Sequence, residues 1–227
     1  MKKILLFILL AAVSSPAAFA QARAGGELSS KDYTGGGTTQ SRNTGFGVKG
    51  GYNLSGLRGD DIKGIDRNSR SDFHTGIYGQ FGFNEFASAQ LEALYSRQGF
   101  SANTGPNGSR QTYKMDYLSV PLMFVGNVTE TLSFHVGPQV SLLVKAEEEG
   151  KDLDFDSNGL NSFDFGGVLG AEARVGPARV GARYVGSLGK IFGDNGAKVA
   201  NLASGKFTNS DLYNNVFQLY IGIGFTQ

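Results

Sequence analysis

Eight segments of the chain alternate apolar with small or polar side chains, and they are joined in turn by long polar loops and very short turns. Strict alternation is the period of a strand with two unlike faces. In 132–144, Leu132, Phe134, Val136, Val140, Leu142 and Val144 share one face, while Ser133, His135, Gly137, Gln139, Ser141 and Lys145 share the other. Near the end, Phe217, Leu219, Ile221, Ile223 and Phe225 oppose Gln218, Tyr220, Gly222, Gly224 and Thr226. The second segment agrees, with Phe73, Ile77, Phe81 and Phe83 against His74, Tyr78, Gln80 and Asn84. The pattern predicts strands at about 45–54, 72–84, 87–100, 111–126, 131–145, 162–175, 178–187 and 213–226. Their connections run long, short, long, short, long, short, long, as an up-and-down barrel with both termini on its short-turn side requires.

Alternation alone does not say which face meets lipid, because a soluble ligand-carrying barrel shows the same period with its faces reversed. The polar face here is crowded with glycine, at Gly47, Gly51, Gly76, Gly82, Gly137, Gly166, Gly170, Gly181, Gly222 and Gly224. That suits a narrow lumen, whereas a water-facing exterior would carry Lys and Glu. Aromatic residues near strand ends, among them Tyr52, Phe73, Phe83, Phe100, Tyr113, Phe163, Phe217 and Phe225, fit girdles at two lipid interfaces. The expected fold is therefore all-β: an eight-stranded antiparallel up-and-down transmembrane β-barrel. Lipid offers the backbone no hydrogen-bonding partner, so a sheet spans a bilayer only when closed.

The first residues change the picture by fixing the compartment. Lys2 and Lys3 precede an uncharged run from Ile4 to Val13, and Ala18, Phe19 and Ala20 supply the small-x-small pattern of a signal-peptidase site. Residues 1–20 read as a cleaved export signal, 21–44 as a flexible Gly/Ser/Thr-rich periplasmic leader, and 45–227 as the barrel domain. The expected location is the outer membrane of a Gram-negative bacterium. Charge is balanced, 21 Lys and Arg against 20 Asp and Glu, so no basic surface suggests nucleic acid. The chain has no cysteine, which excludes disulfide, zinc-thiolate and iron–sulfur chemistry.

One constellation of charge falls inside the strands. Glu92, Glu172, Arg174, Arg179 and Arg183 all carry lumen parity, and a tight turn around Gly176 and Pro177 would set Glu172 opposite Gly181 and diagonal to Arg179 and Arg183. A selectivity filter or proton relay is one reading. A structural network that fills the lumen is the favoured one, since eight strands enclose only enough space for their own side chains.

Other motifs carry less. Gly45, Gly47 and Gly50 match a dinucleotide fingerprint but lie within a strand, and Gly186 to Lys190 resembles a phosphate loop with the wrong spacing. The run from Asp152 to Gly159 alternates oxygen ligands as calcium loops do, yet Phe165 stands where the twelfth-position carboxylate would be. Ser71, Asp72 and His74 are adjacent near a loop, with His74 placed by the predicted topology close to the outer rim, but adjacency in sequence is not triad geometry. No catalytic set, cofactor or metal site is expected, and the protein is read as non-enzymatic.

Seven stretches carry a family resemblance: GVKGGYNLSGL from Gly47, QLEALYSRQG from Gln90, MDYLSVPLMF from Met115, HVGPQVSLLV from His135, DFGGVLGAEARV from Asp164, ARYVGSLGKIF from Ala182 and NNVFQLYIGIGF from Asn214. Together the chain resembles the porin-family, PorT-like outer-membrane β-barrel domain. The resemblance implies a small eight-stranded barrel without a shared catalytic set. The expected role is structural, adhesive or ligand-contacting, exercised through extracellular loops. Its expected partners are outer-membrane lipid and an extracellular or envelope protein; a small-solute channel is the alternative, and a barrel enzyme a more distant one.

Overall fold

The computed structural model describes residues 43–59, 67–103, 110–148, 150–152, 161–190 and 212–225. The expected export signal, most of the expected leader and the calcium-like run beyond Asp152 lie outside the described residues. The strands are β1 (Gly45–Gly59), β2 (Arg67–Gly82), β3 (Ala87–Asn103), β4 (Arg110–Asn127), β5 (Leu132–Glu148), β6 (Lys151–Asp152), β7 (Phe163–Val175), β8 (Ala178–Lys190) and β9 (Leu212–Phe225). Each long strand pairs antiparallel with its neighbours in the chain, and β1 pairs with β9 from Phe46↔Phe225 to Gly59↔Leu212. That last ladder closes an eight-stranded barrel and removes its free edges. The two-residue β6 only extends the tip of β5.

Short turns close one end for identifiable reasons. Asn84 Oδ1 accepts from the amides of Phe86 and Ala87 at 2.8 Å each, and Thr129 Oγ1 accepts from Thr131 and Leu132. Between β7 and β8, Gly176 adopts φ +60°, the left-handed conformation that a two-residue hairpin turn needs. Asn43, which the leader was expected to include, is buried here. Its amide donates to the carbonyls of Asn84 and Glu85, and its oxygen accepts from Asn127 and Arg174. The packed chain therefore begins before β1.

The outer face is apolar on every long strand, with Phe46, Val48, Ile77, Phe81, Leu122, Phe124, Phe134, Val136, Leu169, Val180, Leu219 and Ile221 exposed. The lumen face holds the buried residues, polar and apolar alike. Two aromatic assignments are corrected. Phe100 and Tyr113 lie inside the barrel, 2% and 3% exposed, with their rings stacked at 4.8 Å. Both share the parity of lumen residues on their strands, which outweighs their nearness to strand ends.

Lys145 is corrected as well. The β4–β5 register passes from Asp116↔Lys145 to Tyr117↔Leu143, leaving Val144 as an extra residue. Such a bulge flips the parity of everything beyond it. Leu143 keeps the inward parity of Ser141, but beyond Val144 it is Ala146 that points inward, while Lys145 turns outward with its side chain 46% exposed. A second irregularity, between Ser69 and His74, opens the β2–β3 ladder. The lumen side chains Asn53 and Ser55 reach into that gap and hydrogen-bond the backbones of Phe73, Arg97, Arg70 and Gly99.

Several strands also run further toward the long-loop end than the alternation indicated. β2 begins at Arg67, and β3 and β4 meet as far out as Asn103↔Arg110. His74 is therefore not at a rim but deep in the lumen, paired with Gly51 and Ser96 and 1% exposed.

Candidate functional site

Lumen parity on β1, β2, β3, β7, β8 and β9 brings charged side chains together between the short-turn end and the middle of the barrel. Glu92, Glu172, Arg174, Arg179 and Arg183 all point into this space. Lys49 joins them and links the two carboxylates: its Nζ donates to Glu92 Oε1 at 2.5 Å and lies 4.0 Å from Glu172 Oε2. The side chains of Lys49, Glu92 and Glu172 are 0% exposed, so water reaches none of them in this arrangement.

Around Glu92, Arg183 Nη1 donates to Oε2 at 2.6 Å and Gln90 Nε2 to Oε1 at 2.6 Å. Around Glu172, Arg179 Nη1 and Arg174 Nε both donate to Oε1, at 3.1 and 3.3 Å, and Tyr220 donates its hydroxyl to Oε2 at 3.0 Å. The cations also lie against aromatic faces. Lys49 Nζ is 4.8 Å from the Tyr78 ring centre and 4.4 Å from that of Tyr220; Arg179 stacks on Tyr78 and Arg183 on Tyr220. Cation–π contacts strengthen when desolvated, which favours this placement.

These rings fit only because glycine stands opposite them. A Cβ at Gly47 would sit 2.5 Å from Tyr78 Oη, and one at Gly181 only 2.3 Å from the Tyr220 ring. The register places Glu172 opposite Gly181 and Arg183 opposite Gly170, so the strand pairings also give the arginines room.

A chain of amides continues the network inward. Arg183 Nε donates to Gln218 Oε1 at 2.5 Å, Gln218 Nε2 donates to Asn53 Oδ1 at 2.8 Å, and His74 Nδ1 lies 2.6 Å from the same oxygen. Asn53 spends its amide hydrogens on Ser96 and two carbonyls, which fixes its oxygen as the acceptor. His74 therefore carries its proton on Nδ1 when neutral. It does not meet Ser71 or Asp72: Ser71 bonds Tyr52 on the outer face, and Asp72 pairs with Arg70 at 2.5 Å. Beyond the network, Met123, Val168, Val185 and Val216 form an apolar layer, and Gln98, Gln139, Asn214 and Asp164 line a narrow cleft above it. Among the described residues, no His, Asp or Glu cluster could hold a metal ion.

The omission in the sequence reading was Lys49. The lumen parity of Gly47 and Gly51 brackets it, and that signal was sufficient to find it.

The outer face has a second ordered feature. On β3, β4 and β5 the apolar rows end at Tyr95, Leu118 and Leu142, which are register neighbours. The next outward row is Arg97, Asp116 and Lys145, and the one after it brings in Lys114 and Glu147. Arg97 grips Asp116 through two bonds, at 2.7 and 2.9 Å, and Lys145 pairs with Glu147 and Asp152.

A profile of the outer membrane protein beta-barrel domain matches residues 19–193. Among solved structures, Ail of Yersinia pestis, the attachment invasion locus protein, is 14% identical, with a TM-score of 0.48 over 81% of this chain and 99% of that one. Neisserial surface protein A is 15% identical, with a TM-score of 0.47 over 80% and 98% of the two chains. OprG of Pseudomonas aeruginosa is 16% identical, with a TM-score of 0.42 over 84% and 100%. No curated protein matches the chain.

Proposed function

We propose that this protein, which belongs to the outer membrane protein beta-barrel domain family and resides in the outer membrane, is a non-enzymatic contact protein that presents a rigid β-wall to a partner outside the cell. Within that family we read the chain as a porin-family, PorT-like barrel, on the seven sequence stretches that resemble that group.

The one-sided height of the barrel carries this reading. Charged rows facing outward cannot lie in hydrocarbon, where each Lys or Arg costs about 2–4 kcal/mol at mid-depth. The row Arg97, Asp116 and Lys145 therefore marks where the wall leaves the apolar band. On β3 and β4 the strands continue beyond it to Asn103 and Arg110, adding about 20 Å of strand at some 3.4 Å per residue. On the opposite side, Leu188 and Phe163 are still exposed close to the ends of β8 and β7. The raised wall has its own interior, the Phe100–Tyr113 stack with Met115, Leu143 and Ala146, all buried. A projecting element that is packed inside and charged outside suits recognition by a macromolecule.

A channel is the competing reading, and the buried Lys49–Glu92–Glu172 links speak for a filled lumen instead. The test is a pull-down with the intact barrel in detergent beside a variant lacking the matched residues 101–103 and 110–112. A partner retained by the full wall and lost with the shortened one is expected. No partner, or the same partners for both proteins, would contradict the proposal.

A further inference from the structure

Asp164, on the lumen side of β7 opposite Ser141, forms no ion pair among the described residues. Its hydrogen-bond donors are neutral: the Ser187 hydroxyl on Oδ1, with the backbone amides of Phe165 and Gly189 also turned to the carboxylate. Cations on other strands are committed elsewhere. Arg58 gives a guanidinium nitrogen to the Ser187 carbonyl at 2.9 Å, and Arg70 is matched by Asp72 at 2.5 Å. Arg183, in the charged network, stands opposite Gly170, about 20 Å from Asp164 along β7 at some 3.3 Å per residue. A half-buried carboxylate inside a wall set in lipid is costly to leave uncompensated.

Asp164 also borders the cleft above the apolar layer, together with Gln139, Ser141, Ser187 and Asn214, and with Val185 and Val216 below. The cleft holds about 10 Å³ of space, room for one particle the size of a water molecule. Its amides are turned by their own hydrogen bonds. Gln139 donates Nε2 to Ser141 Oγ at 3.1 Å and Asn214 donates Nδ2 to Gln98 Oε1, so each presents its carbonyl oxygen as the remaining group. Oxygen atoms gathered beside a single negative charge are the ligands that a small hard cation takes.

We propose that this cleft is a binding site for one monovalent cation, sodium or potassium, held by the Asp164 carboxylate with Gln139 Oε1 and Asn214 Oδ1. One positive charge neutralises the one carboxylate. A divalent ion would leave an excess charge in its place, and among the described residues no acidic cluster is present to hold one. A water molecule fits the same space but leaves the charge of Asp164 unmatched.

The experiment follows urea unfolding of the refolded barrel in non-ionic detergent at fixed ionic strength, with choline chloride replaced stepwise by sodium chloride or by potassium chloride. Choline is too bulky for a space of one water-sized particle. A ligand that binds only the folded state raises the midpoint as its concentration passes the dissociation constant. The wild type should show this rise with sodium, potassium or both, and the ion that acts at the lower concentration is the preferred occupant. Asp164→Asn keeps the shape and an acceptor for Ser187 but removes the charge, and its midpoint should no longer depend on the cation. Glu147→Gln, on the outer face of the wall, should keep the full response. Gln139→Leu removes one ligand oxygen and leaves the carboxylate, so it should raise the half-saturating concentration about tenfold. If Asp164→Asn does not refold, Gln139→Leu decides alone. A wild-type midpoint indifferent to both ions, or a variant at Asp164 or Gln139 that responds like the wild type, would overturn the proposal.

Discussion

Glu92 shows what a single buried charge does in this lumen. Its two oxygens take three donors, from Lys49, Gln90 and Arg183, and its side chain has no exposure to water. Replacing it with Gln leaves two cations facing a neutral group, and breaking one side of a buried pair costs about 3–5 kcal/mol. Glu92→Gln should therefore lower the unfolding free energy by that order in urea titrations. Glu147→Gln, on a pair whose Lys145 side chain is 46% exposed, should change it by about 1 kcal/mol or less. Equal effects at the two sites would mean that Glu92 is solvated. At this scale the sequence was informative where parity was unbroken. Glu92, Glu172, Arg179 and Arg183 could be assigned inward from spacing alone, and so could Lys49 had the first strand been read as strictly. Their hydrogen bonds could not, because partners on different strands are set by register across the barrel rather than by spacing along the chain.

Among the strands, β5 and β9 were legible because one face is apolar and the other small or polar. On β4 the lumen face is itself apolar, with Met115, Tyr117, Met123 and Val125 buried inside, so alternation of side-chain direction leaves no alternation of polarity. The bulge at Val144 was equally silent, since one extra residue changes direction without changing composition. The outer ends of β2, β3 and β4 were underestimated for a related reason: above the membrane neither face needs to be apolar. Below the bulge, parity makes a direct prediction. Val136, midway along the apolar run of β5 and 51% exposed, faces lipid, and Ser141 faces the lumen, hydrogen-bonded to Ser119 at 2.9 Å. Arginine at a lipid-facing midplane position costs about 2–4 kcal/mol, a transfer cost that a lumen site escapes. Val136→Arg should destabilise the inserted barrel more than Ser141→Arg in denaturant titrations in lipid. The reverse order would mean that the faces are exchanged and the barrel is a soluble, ligand-carrying one.

For the whole molecule, a closed eight-stranded wall leaves an interior that its own side chains fill. Charge occupies the periplasmic part, the layer around Met123, Val168, Val185 and Val216 lies beyond it, and the raised wall of β3, β4 and β5 stands above. Function is thereby directed to the outer surface rather than through the lumen. Planar-bilayer recording with the purified barrel tests this account most directly. A lumen packed by Lys49, Glu92, Glu172, Arg179 and Arg183 predicts no steady conductance. Stable open-channel currents that disappear on substitution of Arg183 would contradict it and make the protein a channel.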